Sequence, residues 1–286
     1  MELYHFDKPL TSFNPQWIQG TILLLGEFEF FHNGHQSLLL KAQEINQSQK
    51  LPIGIFILDQ KQKQMVQSLD DRLYQLALNQ FDFVIVAQFD VAFKNLSGRD
   101  FLQYLTTTYQ VKHLIAGSDF AFGKDRQYQA QQMQELVNSA IKVHVCDLKQ
   151  HQNQKIASRH LKQMFMFGEF NLIKELIPQP LVFHVKLHQE KIVWTANLVK
   201  PHSGIYYFKI LINEHFYHGL IHFSMNGLIN FELVNQPAEM PIFNANSLVM
   251  LLDLERIIIS KRFDKIMNQD IEAAKAFFSL KDEHEN

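Results

Sequence analysis

A chain of 286 residues exceeds one small core and suits two domains of about 150 residues each. With 47% apolar and 20% charged residues the chain is globular, and 27 basic against 29 acidic residues leave a formal charge of −2. That field is too weak to draw nucleic acid or an anionic membrane. The single cysteine, Cys146, excludes an internal disulfide and a cysteine metal cluster. No apolar run reaches the ~18 residues of a spanning helix, and Met1 to Asp7 lack a basic and apolar leader pattern. The expectation is a cytoplasmic protein, without nucleic-acid or membrane partners, that acts on small molecules.

Up to about Gly168, short β-branched runs alternate with amphipathic stretches, the pattern of β-α-β units around a parallel sheet. Five strands are predicted: Ile22 to Leu25, Ile53 to Leu58, Phe83 to Ala87, His113 to Ala116 and Ile141 to Val145. Leu38, Leu39, Ala42 and Ile45 recur at helical spacing after His35, and Phe101, Leu102 and Leu105 do so after the N-cap residue Ser97. Cys146 is expected as a small core residue at the end of a buried strand. The design is Rossmann-like and doubly wound, with its ligand site at the carboxyl ends of the strands.

After Pro178-Gln179-Pro180 the texture changes. Val182 to Leu187, Ile192 to Leu198, Ile205 to Ile212, Tyr217 to Phe223 and Leu228 to Val234 read as consecutive strands of a small antiparallel barrel. From Asp264 to Phe278, Met267, Ile271, Ala274 and Phe278 share one face of a helix expected to pack across it. The predicted domains are 1–180 and 181–286. His215, His218 and His222 have spacings a metal could use, but in a strand His215 faces away from the other two, so no metal is assigned.

The strongest chemical signal is Gly26-Glu27-Phe28-Glu29-Phe30-Phe31-His32-Asn33-Gly34-His35, where the first predicted strand turns into a helix. Two histidines flanking a glycine at a helix start can aim ring and backbone N–H groups at one polyphosphate, and Gly34 permits close approach. The segment resembles the Gly-Asn-Phe-Asp-Gly-x-His-x-Gly-His signature of the bacterial bifunctional riboflavin kinase/FAD synthetases, a branch of the His-x-Gly-His nucleotidyltransferases. The resemblance continues at Phe89-Asp90 through Phe101, at Gly117-Ser118-Asp119-Phe120-Ala121-Phe122-Gly123, and at Ile156-Ala157-Ser158-Arg159-His160-Leu161-Lys162. Glu27, Glu29, Phe30, Arg159 and Lys162 stand where that family carries Asn, Asp, Gly, Thr and Arg.

The resemblance implies an FMN adenylyltransferase that uses ATP and Mg²⁺ to make FAD and pyrophosphate. By it, His32, His35 and Lys162 are catalytic, Gly26, Phe28, Glu29, Gly34, Ser158 and Arg159 bind ATP, and Asp119, Phe120 and Phe122 line the flavin pocket. A weaker resemblance to the riboflavin kinase barrel rests on Thr195-Ala196-Asn197 and Pro201-His202-Ser203-Gly204-Ile205-Tyr206, with Asn268 to Ala274 resembling its final helix. His188, Gln189, Ile192 and Trp194 replace that family's Gly, Arg, Gly and Pro, which removes its phosphate-cradling loop. Leu248 stands where the resemblance places a glutamate base, with Glu239 and Glu255 nearby in sequence. Thr195 and Asn197 therefore read as remnants of a degenerate kinase module. The alternatives are a fully bifunctional enzyme, a flavin- or nucleotide-binding protein without turnover, and adenylyl transfer to another small acceptor.

Overall fold

The computed structural model describes residues 1–6, 19–60, 64–147, 150–151, 154–188, 191–212, 215–234 and 247–282. The chain divides into two compact units, Met1–Lys63 with Leu76–Ala157, and Gln64–Gln75 with Ser158–Asn286. The chain thus lends twelve residues from early in its sequence to the second unit.

In chain order the strands and helices of the first part are β1 (Glu2–His5), β2 (Thr21–Leu25), α1 (Asn33–Gln49), β3 (Ile53–Asp59), α2 (Leu69–Ala77), β4 (Phe83–Gln88), α3 (Val91–Lys94), α4 (Gly98–Thr108) and β5 (Val111–Gly117). A short ribbon of β6 (Ala121–Phe122) and β7 (Tyr128–Gln129) follows. Then come α5 (Met133–Leu136), β8 (Lys142–Cys146) and the hairpin β9 (Gln150–His151) with β10 (Gln154–Lys155). The sheet runs β1-β4-β3-β2-β5-β8, parallel throughout. All five expected strands are present, and the sheet has a sixth, β1, on the edge beside β4. Four residues with Leu3 half-exposed carry too little apolar pattern to announce a strand. Its inward Tyr4 nevertheless meets Phe83 and Tyr109 edge to face, with ring centroids 6.2 Å away in both cases.

β2 is central and buried over its whole length, which is why Thr21–Leu25 reads as a nearly continuous apolar run. Ser97 caps α4 by accepting from the Asp100 N–H, as the sequence predicts. Cys146 departs from expectation. It lies on the edge strand β8 and is only partly buried, and burial still raises its thiol pKa.

The second unit holds α6 (Ser158–Phe167), α7 (Phe170–Leu176) and six strands: β11 (Val182–His188), β12 (Lys191–Val193), β13 (Gly204–Ile212), β14 (His215–Phe223), β15 (Ile229–Leu233) and β16 (Ser247–Ile257). These close in the order β11-β12-β15-β14-β13-β16. Two expectations are corrected here. The strand expected over 192–198 ends at Val193, because the chain turns at Asn197, which adopts φ 67°. The barrel also needs β16, whose sequence mixes apolar residues with Asp253, Glu255 and Arg256 and so hides its alternation.

The final helix, α8, spans Asn268–Asp282, with Ala274 and Phe278 buried against Ile205, Tyr207 and Leu220. Its first turn is pinned by Arg256, whose Nε and Nη2 donate to the two oxygens of buried Asp270 at 2.7 and 2.8 Å. His222 Nε2 donates to Asp264 Oδ1 at 2.8 Å, and His218 stacks on Phe278 with centroids 4.5 Å apart. Glu239 and Gln189 lie outside the described residues.

Candidate functional site

In the first unit, strand order changes direction between β2 and β5, so the crevice at their carboxyl ends is the topological switch point. The two loops singled out in the sequence leave those two strands. The chain exits β2 through Gly26 and passes three phenylalanines with positive φ, Phe28 at 50°, Phe30 at 66° and Phe31 at 32°. All three are fully buried, and packing must hold them against the local strain of the left-handed region. Phe28 and Phe31 lie 6.2 Å apart, and Phe31 meets Phe81 at 5.7 Å. The density of phenylalanine in this segment was the available signal for such a cluster. Their dihedral angles left no mark in the sequence.

His32 is the N-cap of α1. Its Nδ1 accepts the Gly34 N–H at 3.1 Å, so the neutral ring carries its proton on Nε2. A Cβ at Gly34 would fall 2.9 Å from that ring, so glycine is what lets the cap fold over the helix start. His35 lies parallel to it, ring centroids 3.7 Å apart at 15°, and 4.8 Å from Phe28. The two histidines therefore form one stacked pair at the helix terminus. The sequence reading left the Gly34 N–H free for phosphate, whereas here His32 occupies it, and a ligand reaching it must displace that contact. Next in the chain, Gln36 has a buried side-chain oxygen without a hydrogen-bond partner among the described residues.

Glu29 is buried in the same turn, and partly buried Glu27 accepts from Gln60 Nε2 at 3.3 Å. After β5, Phe120 donates its N–H to Gly117 O at 3.0 Å in a tight turn, and Asp119 is exposed. Phe120 and Phe122 stack at 5.8 Å, but Phe122 is buried in the core beside Phe101 and Tyr128. Of the three residues predicted to line a flavin pocket, Asp119 is exposed, Phe120 is partly exposed and Phe122 is buried.

The other predicted residues belong to the second unit. Ser158 opens α6, Arg159 follows it, and Lys162 one turn on donates to Gln64 O at 2.5 Å. Thr195 and Asn197 are exposed in the turn after β12, where Thr195 Oγ1 lies 3.5 Å from His184 O and Leu198 N–H reaches Thr195 O at 3.4 Å. No motif near His184 indicates what faces it. Buried Asp71 takes its backbone N–H at 2.6 Å and its Nδ1 at 2.7 Å, and also caps Ser68 N–H at 2.8 Å. The hydrogen bond to Asp71 raises the His184 pKa.

Among the described residues no group of three or more His, Cys, Asp or Glu could hold a metal by itself, and no helix is long and apolar enough to cross a membrane. The fold and the turn together define a Rossmann-like nucleotidyltransferase domain followed by a closed antiparallel barrel. Residues 14–160 match the FAD synthetase family, and the chain belongs to that family. It is 23% identical over 249 residues to the bifunctional riboflavin kinase/FMN adenylyltransferase of Bacillus subtilis, covering 79% of each chain. With the Haemophilus influenzae protein of that name it shares 26% identity over 302 aligned positions, 92% of this chain and 96% of the relative. A solved structure named as a macrolide-efflux protein from Streptococcus pneumoniae superimposes with a TM-score of 0.78 at 18% identity, over 98% of both chains. That last likeness is one of fold alone.

Proposed function

We propose that the first unit transfers the adenylyl group of ATP to FMN, forming FAD and pyrophosphate, and that the barrel is a degenerate kinase module. The stacked His32 and His35 pair at the start of α1, at the switch point of a chain of the FAD synthetase family, carries the reading. The attacking FMN phosphate oxygen is already ionised, so the step needs no general base. The work is positioning and charge neutralisation. His32 Nε2–H donates to a phosphate oxygen, and His35 follows the negative charge that grows on the leaving pyrophosphate. Gly26, Phe28 and Gly34 shape the turn against the nucleotide, while Asp119 and Phe120 receive the flavin ring, with Phe122 supporting them from the core. Ser158, Arg159 and Lys162 are given phosphate-binding roles on motif resemblance.

Mg²⁺ is held chiefly by substrate phosphates with one or two carboxylates rather than by a protein cage. A turn that offers Glu29 and Glu27 fits that mode. When bound, the ion would lower the charge repulsion between the two phosphorylated substrates.

In the barrel, Leu248 has no group that accepts a proton, and Glu255 already receives the Tyr207 hydroxyl. The relatives' names favour a second reading, in which the barrel also phosphorylates riboflavin. Purified protein incubated with ATP, Mg²⁺ and either FMN or riboflavin, read by chromatography, separates the two. FAD from FMN with none from riboflavin supports the proposal; FMN or FAD accumulating from riboflavin restores bifunctionality, and no product from either substrate refutes both.

A further inference from the structure

Within the second unit, α7, the segment 177–181 and α8 flank the outer face of the barrel and leave a cavity of about 500 Å³, the size range of sites for small organic ligands. Its floor follows the strand register. Lys209 on β13 is paired with Met250 on β16 and with His218 on β14, so the three side chains form one row across three strands. All three line the cavity, together with Leu252 of β16, Phe278 of α8 and Lys174 of α7.

Two properties of this wall point to a ligand class. The first is shape and polarity: the wall is mainly apolar, and the His218 ring stacks on Phe278 at an interplanar angle of 7°. A flat aromatic edge of this kind suits a planar ring. The second is charge. The ionisable groups of the lining are Lys174, Lys209 and His218, and no carboxylate is among them. Lys174 Nζ donates to Leu252 O at 2.6 Å, so its charge stays at the rim while meeting a neutral acceptor. Lys209 Nζ lies 4.4 Å from the centroid of the exposed Phe216 ring, and among the described residues no carboxylate pairs with it. A cation resting on a ring can move to an incoming anion at little cost.

We propose that this cavity is a binding site for a planar aromatic anion, its rings against Met250, Leu252 and Phe278 and its acidic group on Lys209. The site is separate from adenylyl transfer and stands whether or not that activity is found. The probe is 1-anilinonaphthalene-8-sulfonate, whose fluorescence rises in apolar surroundings, titrated against the full chain. Naphthalene-2-carboxylate, neutral naphthalene-2-methanol and inorganic phosphate serve as competitors.

The expected result is one saturable site from which the carboxylate displaces the probe at least about tenfold better than the alcohol or phosphate does, as an interaction with a charged group requires. Lys209→Glu should weaken the probe by a similar factor, and added salt should weaken it in the wild type. Lys142→Glu, an exposed substitution in the first unit, should leave it unchanged. Should Lys209→Glu fold with an unaltered thermal midpoint and bind the probe normally, the site is overturned. Equal competition by acid and alcohol refutes the anionic specificity, and binding lost equally in Lys142→Glu reduces the signal to general surface charge.

Discussion

Two turns in this protein place a non-glycine residue at nearly the same left-handed backbone angle, Phe30 at φ 66° after β2 and Asn197 at φ 67° after β12. Phe30 is fully buried in a crowded aromatic turn. Asn197 is exposed, in a turn whose neighbouring contacts are 3.4 and 3.5 Å long. A phenylalanine at that φ costs about 1–2 kcal/mol because its Cβ crowds the following carbonyl, whereas asparagine visits the region readily. The first turn therefore stores strain that dense packing must offset, while the second adopts its shape at low cost and holds little in place. Strain kept by packing is a common mark of a working site.

The largest effect should separate the turns by function. On the proposed mechanism His35→Ala removes a phosphate donor from the stacked pair, and FAD formation should fall by about 10²–10³, or about 2.7–4 kcal/mol by analogy with oxyanion donors. FMN binding should change little. Thr195→Ala, in the other turn, should leave the same rate within about twofold. Steady-state assays of both variants decide this, and equal losses would erase the functional contrast.

Stability gives the next largest effect. Phe30→Gly relieves about 1–2 kcal/mol of backbone strain but forfeits a buried ring, whose loss costs about 3–5 kcal/mol. A net destabilisation of about 1–4 kcal/mol in urea melts is expected. A neutral or stabilising result would mean that the packing does not offset the strain.

How much of this could be read beforehand differs along the chain. The five strands from Ile22 to Val145 declare themselves by β-branched runs between punctuating residues, and the helix after Ser97 by its cap and apolar stripe. The His32 and His35 turn was legible because glycine between two histidines at a strand end is a local pattern. Non-local facts were hidden. β1 takes its identity from pairing with β4, and β16 from closing the barrel between β11 and β13. The bond between Asp71 and His184 joins residues 113 positions apart. Nothing in the sequence around either one signals the other. The His32 cap on Gly34 escaped for a different reason, since side-chain rotation decides whether the ring or a ligand takes that N–H.

The Asp71 bond makes the second unit sensitive to pH. Because Asp71 raises the His184 pKa above 6.5, the protonated ring favours the folded chain. Its contribution is complete below the unfolded value and is lost as pH rises through the raised one. The stability gap between wild type and His184→Gln should be wider at about pH 5.5 than at about pH 8.5. The effect should be modest because the His184 side chain is 33% exposed. Chemical denaturation at the two pH values measures it, and a pH-independent gap would assign the bond a purely steric role.

The smallest expected change tests the relaxed turn itself. Asn197 is exposed at φ 67°, a conformation that glycine adopts without a Cβ penalty and asparagine at slight cost. Glycine also gives the unfolded chain more freedom, which acts against the gain in the folded state. The two terms nearly cancel, so Asn197→Gly should shift stability by no more than about 0.5 kcal/mol and leave FAD formation unchanged. Asn197→Val is the informative partner. A β-branched side chain resists the left-handed region, so that variant should lose about 1–2 kcal/mol through backbone strain alone. If Asn197→Gly instead cost as much as Asn197→Val, the asparagine side chain would be making an interaction that matters, and this turn would have to be classed with the strained turn after β2 as a site still under functional constraint.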